Sequence, residues 1–358
     1  MRLLYSQLVI LMNRSPVRLP LDQKVFDSVP RADIPQYLQG LFGSVRFSVA
    51  EDDCECILEG PDTQYHTIDP YLPSILQRLG ISHDTQAIYG FREMRQQYSF
   101  CLEDVWSGYT IVSTESLNTY DNVGIIHADD HTDLMPTILQ VRDGNLWYPG
   151  SSIIFEPHSQ EAWQMAIHHG VIGIGNFLTA ICYLSPNIHI RHLSQASPVT
   201  DRTLGLDYDI VTHWQVPDVS FACVTRNIDE NRGTAGSYRC SSNADCAFDD
   251  LPSCPIIVHI DLDYFINDFN GNPCDSNYIP DKRLRTQAQH RIDDMFSGLH
   301  QLQPYIVSWI VAASPGFCSA THWRWLCDTI AGNIRILSRS SNAQLSLGDK
   351  GCAAPKDI

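Results

Sequence analysis

The chain has 358 residues, 44% of them apolar, enough for a sizeable core in one or two domains. Its 24 basic against 41 acidic residues give a formal net charge of -17. This argues against nucleic acid, whose binding rests on phosphate neutralisation, and favours cationic partners. No run of 18 apolar residues offers a membrane span, and the composition fits a cytoplasmic protein.

In chain order, "LLYSQLVILM" (3–12) reads as a first strand or helix. It does not read as a signal peptide, because Ser6 and Gln7 interrupt it and no small-residue cleavage site follows. "QAIYGF" (86–91) reads as a strand, "QQYSFCLEDVWSG" (96–108) as a helix and "NVGIIHA" (122–128) as a strand. "SQEAWQMAIHHG" (159–170) reads as a helix capped by Ser159 and stopped by Gly170, with a second helix over 176–185. "NIHIRHLS", "VSFACVT" and "CPIIVHID" (254–261) are strand patterns, 281–303 a long helix, 305–314 a strand and 320–337 a last helix. The polar stretch 226–253 reads as an insertion loop, and 338–358 as a flexible tail. The alternation predicts one three-layer α/β domain over 1–358, a mostly parallel sheet with helices on both faces. Of twelve cysteines, Cys101, Cys182, Cys223 and Cys327 sit in apolar runs, as reduced core thiols do.

"IIHADDHTDL" (125–134) concentrates titratable groups behind an apolar strand, and "IIVHIDLDYFIND" (256–268) repeats the pattern. In a parallel α/β sheet ligands bind at the carboxyl ends of strands. Two such ends side by side would place Asp129, His131, Asp133, Asp261 and Asp263 in one crevice. Carboxylates at that density cannot all ionise uncompensated, and a pair of divalent cations would compensate them. Mixed imidazole and carboxylate donors suit Mn(II), and two ions about 3.5–4 Å apart are a common hydrolytic arrangement. The plainer reading is a set of ordinary strand-end charges. One D-x-H-x-D alone is weak; its pairing with D-x-D on a second strand is the stronger signal. His127 and His259 share a strand face with the aspartates that follow them, and read equally as buried, hydrogen-bonded histidines or as supports for the ligands.

Together "HADDHTDLM" (127–135), "IGIGNFLTA" (172–180), "HIDLDYFINDFNG" (259–271) and "SPGFCSATHW" (314–323) resemble the arginase–deacetylase superfamily. Within it they are most similar to a divergent family of peptide arginases from ribosomally made natural-product pathways. The resemblance spans residues 86 to 330. It implies an arginase-like fold and a Mn(II)-dependent hydrolase that converts arginine side chains of a precursor peptide to ornithine, releasing urea. A hydroxide held between two ions would attack the guanidinium carbon. Carried over by residue, Asp129 and Asp261 would bridge the ions. Asp133 would bind one ion and accept a hydrogen bond from the hydroxide. His131 and Asp263 would bind the other ion.

Arginases take a sixth ligand, a histidine, from an earlier strand. "YGFREMRQQYSF" (89–100) has none, and Gln96 falls nearest that place, with Gln97 and Glu93 beside it. The family's proton-shuttling histidine maps to His169, with His168 as the alternative; both also read as helix-end histidines satisfied by carbonyls. Where free-arginine enzymes bind the α-carboxylate with an asparagine, this chain has Met135, which suits peptide-bound arginine. No residue is assigned to the guanidinium-binding acid, and Asp268 departs from the family's spacing. "SPGF" (314–317) is expected to turn at the same sheet edge. Two other readings stand beside this one: a one-metal deacetylase of the same superfamily, and a non-catalytic peptide-binding protein. Oligomeric state is not legible.

Overall fold

The computed structural model describes residues 17–42, 45–50, 54–114, 121–149, 151–185, 187–195, 202–213, 216–272 and 282–348. The expected first element over 3–12 lies outside them. The strands are β1 (Arg18–Pro20), β2 (Val45–Val49), β3 (Glu55–Pro61), β4 (Arg92–Met94), β5 (Ser99–Cys101), β6 (Val123–Ala128), β7 (Gln140–Arg142), β8 (Asn145–Trp147), β9 (Ile188–Leu193), β10 (Leu204–His213), β11 (Val216–Asn227), β12 (Gly236–Ser241), β13 (Ile256–Asp261) and β14 (Ile306–Ala312). The first three form a small antiparallel sheet in the order β1-β3-β2. The other eleven form one sheet in the order β4-β5-β14-β13-β6-β9-β12-β10-β11-β7-β8.

The sheet is mixed, not mostly parallel. From β5 to β12 in that order, six neighbouring strands run parallel. β4 on one edge and β10, β11, β7 and β8 on the other pair antiparallel. The short links from β4 to β5, β7 to β8 and β10 to β11 dictate this, because a parallel crossover needs a dozen or more residues. The central strands are buried on both sides: every residue of β6, β9 and β13 is buried, including His127, His189, Arg191, His192, His259 and Asp261 among the apolar residues.

Alternate side chains feed two cores. Ile125 and Ile257 pack with the helices Val105–Ser113, Gln160–His168 and Phe177–Cys182. Ile126, Val258 and Ile260 pack with Ala244–Phe248, Lys282–Leu299 and Ala320–Gly348 on the other face. Helices thus flank the sheet on both sides, an arrangement compatible with three layers. Helix Gln160–His168 begins and ends as its sequence indicates. Ser159 Oγ accepts from Ala162 N, and Gly170 takes the left-handed φ of 69° that ends a helix cheaply only in glycine.

Four expectations about individual stretches need correction. Residues 86–91 hold not a strand but the helix Thr85–Tyr89, and 96–108 hold the β4–β5 turn, β5 and only the start of Val105–Ser113. Runs this short carry too little periodicity to separate helix from strand. The stretch 226–253 is not an insertion loop. It completes β11, supplies β12 to the sheet between β9 and β10, and forms the helix Ala244–Phe248. Its polar look misleads because β12 is polar and still buried: Ser237 Oγ meets Arg191 Nη1 at 3.1 Å and His189 Nδ1 at 2.8 Å. The tail expected from 338 continues the last helix to Gly348, and 349–358 lie outside the described residues. Among the described residues no helix is long and apolar enough to cross a membrane.

Candidate metal centre

After β6 the chain moves outward to β9 and β12, then returns to the other side of β6 as β13 and continues to β14. The connections leaving β6 and β13 therefore diverge, and a crevice opens at their carboxyl ends. Both acidic motifs sit there. Asp129, His131 and Asp133 follow β6, Asp261 ends β13, and Asp263 lies in the turn Leu262–Tyr264. The crevice is a cavity of about 440 Å³ lined by Glu103, Asp104, Asp130, His131, Asp133, Met135, Ile174, Asn176, Asp261, Asp263, Ser314 and Phe317, among others.

The five residues expected to share a site do so. His131 Nδ1 lies 3.0 Å from Asp263 Oδ2 and 3.4 Å from Asp129 Oδ1. Donor atoms of Asp129, His131 and Asp263 fall within 4.8 Å of one another, and so do those of Asp104, Asp129 and Asp133. His127, Asp129 and His259 form a third such group, and Asp129 belongs to all three. The main chain holds the aspartates in place: Asp129 Oδ1 accepts from His131 N at 2.6 Å and Asp261 Oδ1 from Asp263 N at 3.2 Å. Ser314 Oγ donates to Asp261 Oδ2. Asp133 and Ser314 adopt φ of 50° and 45°, a left-handed strain that non-glycine residues keep mainly at functional sites.

The electrostatics are lopsided. Asp104, Asp129, Asp133, Asp261 and Asp263 are at most 5% exposed. Burial, then neighbouring carboxylates, pushes Asp129 and Asp263 up to about 7. The same causes hold Asp104, Asp133 and Asp261 well above the usual carboxylate range, with the Ser314 hydroxyl partly offsetting them at Asp261. For His131, burial pulls the imidazole down, but its contacts with Asp129 and Asp263 win and raise it to about 12. Asp104 Oδ1, Asp129 Oδ2 and Asp133 Oδ2 are buried with no hydrogen-bond partner among the described residues. A buried acceptor is ordinarily satisfied, so these bare oxygens converging on one point fit a cation. Oxygen donors with a single imidazole suit a hard or intermediate divalent ion.

The remaining expected residues lie elsewhere. Gln96 is exposed in the turn that precedes β5, at the opposite end of that strand from the crevice. The structure does not bring it to the other donors: matching "QYSF" to the family pattern puts it at the wrong end of β5. Glu93 is likewise exposed and pairs with Arg95. His168 and His169 do not line the cavity. They end helix Gln160–His168, where His168 packs edge-on to Trp106 and His169 to Tyr148. Asp268 instead accepts from Ser319 N and anchors the last helix. The "SPGF" turn is where it was expected, with Phe317 in the cavity wall.

Two residues were missed, Glu103 and Asp104, which follow β5 as Asp129 follows β6. Glu103 is 1% exposed, accepts from Tyr65 Oη at 2.7 Å and lies 2.5 Å from His66 Nε2. The signal was present: "SFCLED" is a short apolar run ending in acids, the grammar of the other two motifs. The chain matches no protein-family model and no curated protein sequence.

Proposed function

We propose that this chain is a cytoplasmic member of the arginase–deacetylase superfamily with an arginase-like fold. In this reading it is a Mn(II)-dependent hydrolase that converts arginine side chains in a precursor peptide to ornithine and urea. The observation that carries the proposal is the pair of donor groups joined by Asp129. Asp104, Asp129 and Asp133 would hold one cation and Asp129, His131 and Asp263 a second, with Asp261 between them. Two such cations would supply Lewis acidity, making water nucleophilic at neutral pH and polarising the guanidino group.

The chain's own residues do the rest. Asp133 Oδ2, with no hydrogen-bond partner among the described residues, is placed to take a proton from the attacking water. Glu103 and Asp130 give a cationic guanidinium acidic walls, and Met135, Ile174 and Phe317 offer apolar surface to the stem of an arginine side chain. Glu103, backed by Tyr65 and His66, is the cavity group with proton carriers behind it, and is the source we assign for the proton on the departing amine. No lysine or arginine is among the described residues lining the cavity, and its asparagine, Asn176, is engaged with Gly173 N and the Pro136 carbonyl, so no cationic side chain or unengaged asparagine there meets a free α-carboxylate. That favours arginine within a peptide over the free amino acid.

Incubation with Mn(II) and arginine-containing peptides, beside free arginine, tests the proposal by mass spectrometry. Peptides should lose about 42 Da per arginine, the mass of a guanidino group exchanged for an amine. Free arginine should stay intact. Unchanged peptides would refute the reading.

A further inference from the structure

β13, β6 and β9 are neighbours, and each carries a histidine at one register: His259 opposes His127, and His127 opposes His192. All three are fully buried. Phe177 packs edge-on against the rings of His127 and His259. Ring centroids lie 5.1 Å apart between His259 and His127 and 4.8 Å apart between His127 and His192. The rung sits directly beneath Asp129, two residues before it on β6.

Hydrogen-bond chemistry fixes where each proton sits. His192 Nε2 lies 2.9 Å from the carbonyl of Asp129, and His127 Nε2 lies 3.1 Å from that of His131. A carbonyl only accepts, so both Nε2 atoms carry hydrogen. His192 Nδ1 then accepts from Tyr238 Oη at 2.7 Å, and His127 Nδ1 accepts from His259 Nδ1 at 2.9 Å. His259 must therefore be the Nδ1–H tautomer, leaving its Nε2, which has no partner among the described residues, as a bare acceptor. The reverse arrangement fails. It would turn the lone pair of His127 Nε2 toward the His131 carbonyl and toward Asp133 and Asp129 Oδ2, 3.6 and 3.7 Å away, and would bury an unpaired N–H on His259.

We infer that this histidine ladder is a positioning device for the metal-binding loop. His192 and His127 each clamp the main-chain carbonyl of a ligand residue, Asp129 and His131, and His259 sets the tautomer that lets His127 do so. The inference rests on reading Asp129, His131 and Asp133 as metal ligands. A loop that leaves a strand and turns through a left-handed Asp133 within five residues needs such outside anchors.

Nitrogen-15 NMR of the metal-free full chain, with resonances assigned through single histidine variants, reads the tautomers directly. Two Nε2–H forms and one Nδ1–H form, the last at His259, are expected; an Nε2–H form at His259 overturns the inference. Mn(II) affinity provides the second arm. His192→Phe should weaken binding about 10- to 100-fold, and His192→Gln, which keeps an N–H within reach of the Asp129 carbonyl, should recover most of it. Unchanged affinity in His192→Phe overturns the clamp. Wild-type chain that binds no Mn(II) would overturn the metal centre and with it the ladder's role, whatever the tautomers show.

Discussion

Replacing Asp104 with asparagine keeps the side chain's shape and removes its charge. If Asp104 is a ligand, Asp104→Asn should weaken cation binding at least tenfold and cut peptide hydrolysis by about 100-fold or more, beyond what loss of an outer partner costs. Gln96→Ala, His168→Ala and His169→Ala lie away from the cavity and should leave hydrolysis within about twofold of wild type. Titration with Mn(II) and single-turnover rates check both halves, and a silent Asp104→Asn would remove it from the site. At this scale the five clustered candidate ligands were legible because their spacing on two apolar strands is itself the geometry of a strand-end crevice. Asp104 shares that grammar in "SFCLED", but β5 is only three residues long and 96–108 reads as helix, which hides the strand end. His192 gave no signal at all, since only strand order brings β9 beside β6.

The element that decides the shape of the sheet is β12, and it turns on Gly236. That residue has φ of 137°, and a Cβ there would sit 1.9 Å from the carbonyl oxygen of Ile188 on the neighbouring strand. Gly236→Ala should cost about 1–3 kcal/mol from backbone strain alone, and more as Ile188 is displaced. Thermal unfolding should show a fall of several degrees in Tm, whereas an unchanged Tm would mean that β12 does not pair with β9 as described. The strands β6, β13 and β14 were readable from sequence as largely apolar runs, and β9 from Ile188 and Ile190 alternating with His189 and Arg191. β12 was not. Its Ser237 is satisfied by His189 and Arg191 on β9, which no local pattern reveals. The antiparallel edges were equally hidden in a β-then-α reading that expected crossovers where the chain makes hairpins.

At the scale of the whole molecule, the acidic site opposes the stability of the metal-free fold. A buried aspartate whose pKa rises on folding binds its proton more tightly when folded. Its stabilising effect is therefore complete below about pH 4, where the unfolded group titrates, and is lost as pH rises through the folded value. For Asp129 and Asp263 that loss runs up to about pH 7, and Asp104, Asp133 and Asp261, also raised by burial and neighbouring carboxylates, add a loss of the same sign. His131, raised to about 12, adds a loss of the same sign above about pH 6.5. The buried His127, His192 and His259 act oppositely, but only below about pH 6.5. Metal-free protein should thus lose thermal stability between about pH 6.5 and 8.5. Saturating Mn(II) should reduce or abolish the loss, because bound cations stabilise the ionised aspartates. Equal slopes with and without Mn(II) would contradict that coupling.

The central claim is a two-cation centre joined through Asp129, and metal content measures it most directly. Elemental analysis of protein reconstituted with Mn(II) and freed of loose ions should give two manganese per chain. Asp129→Asn should retain fewer than one. A wild-type value near one would favour a one-metal deacetylase chemistry, and a value near zero would contradict the metal centre altogether.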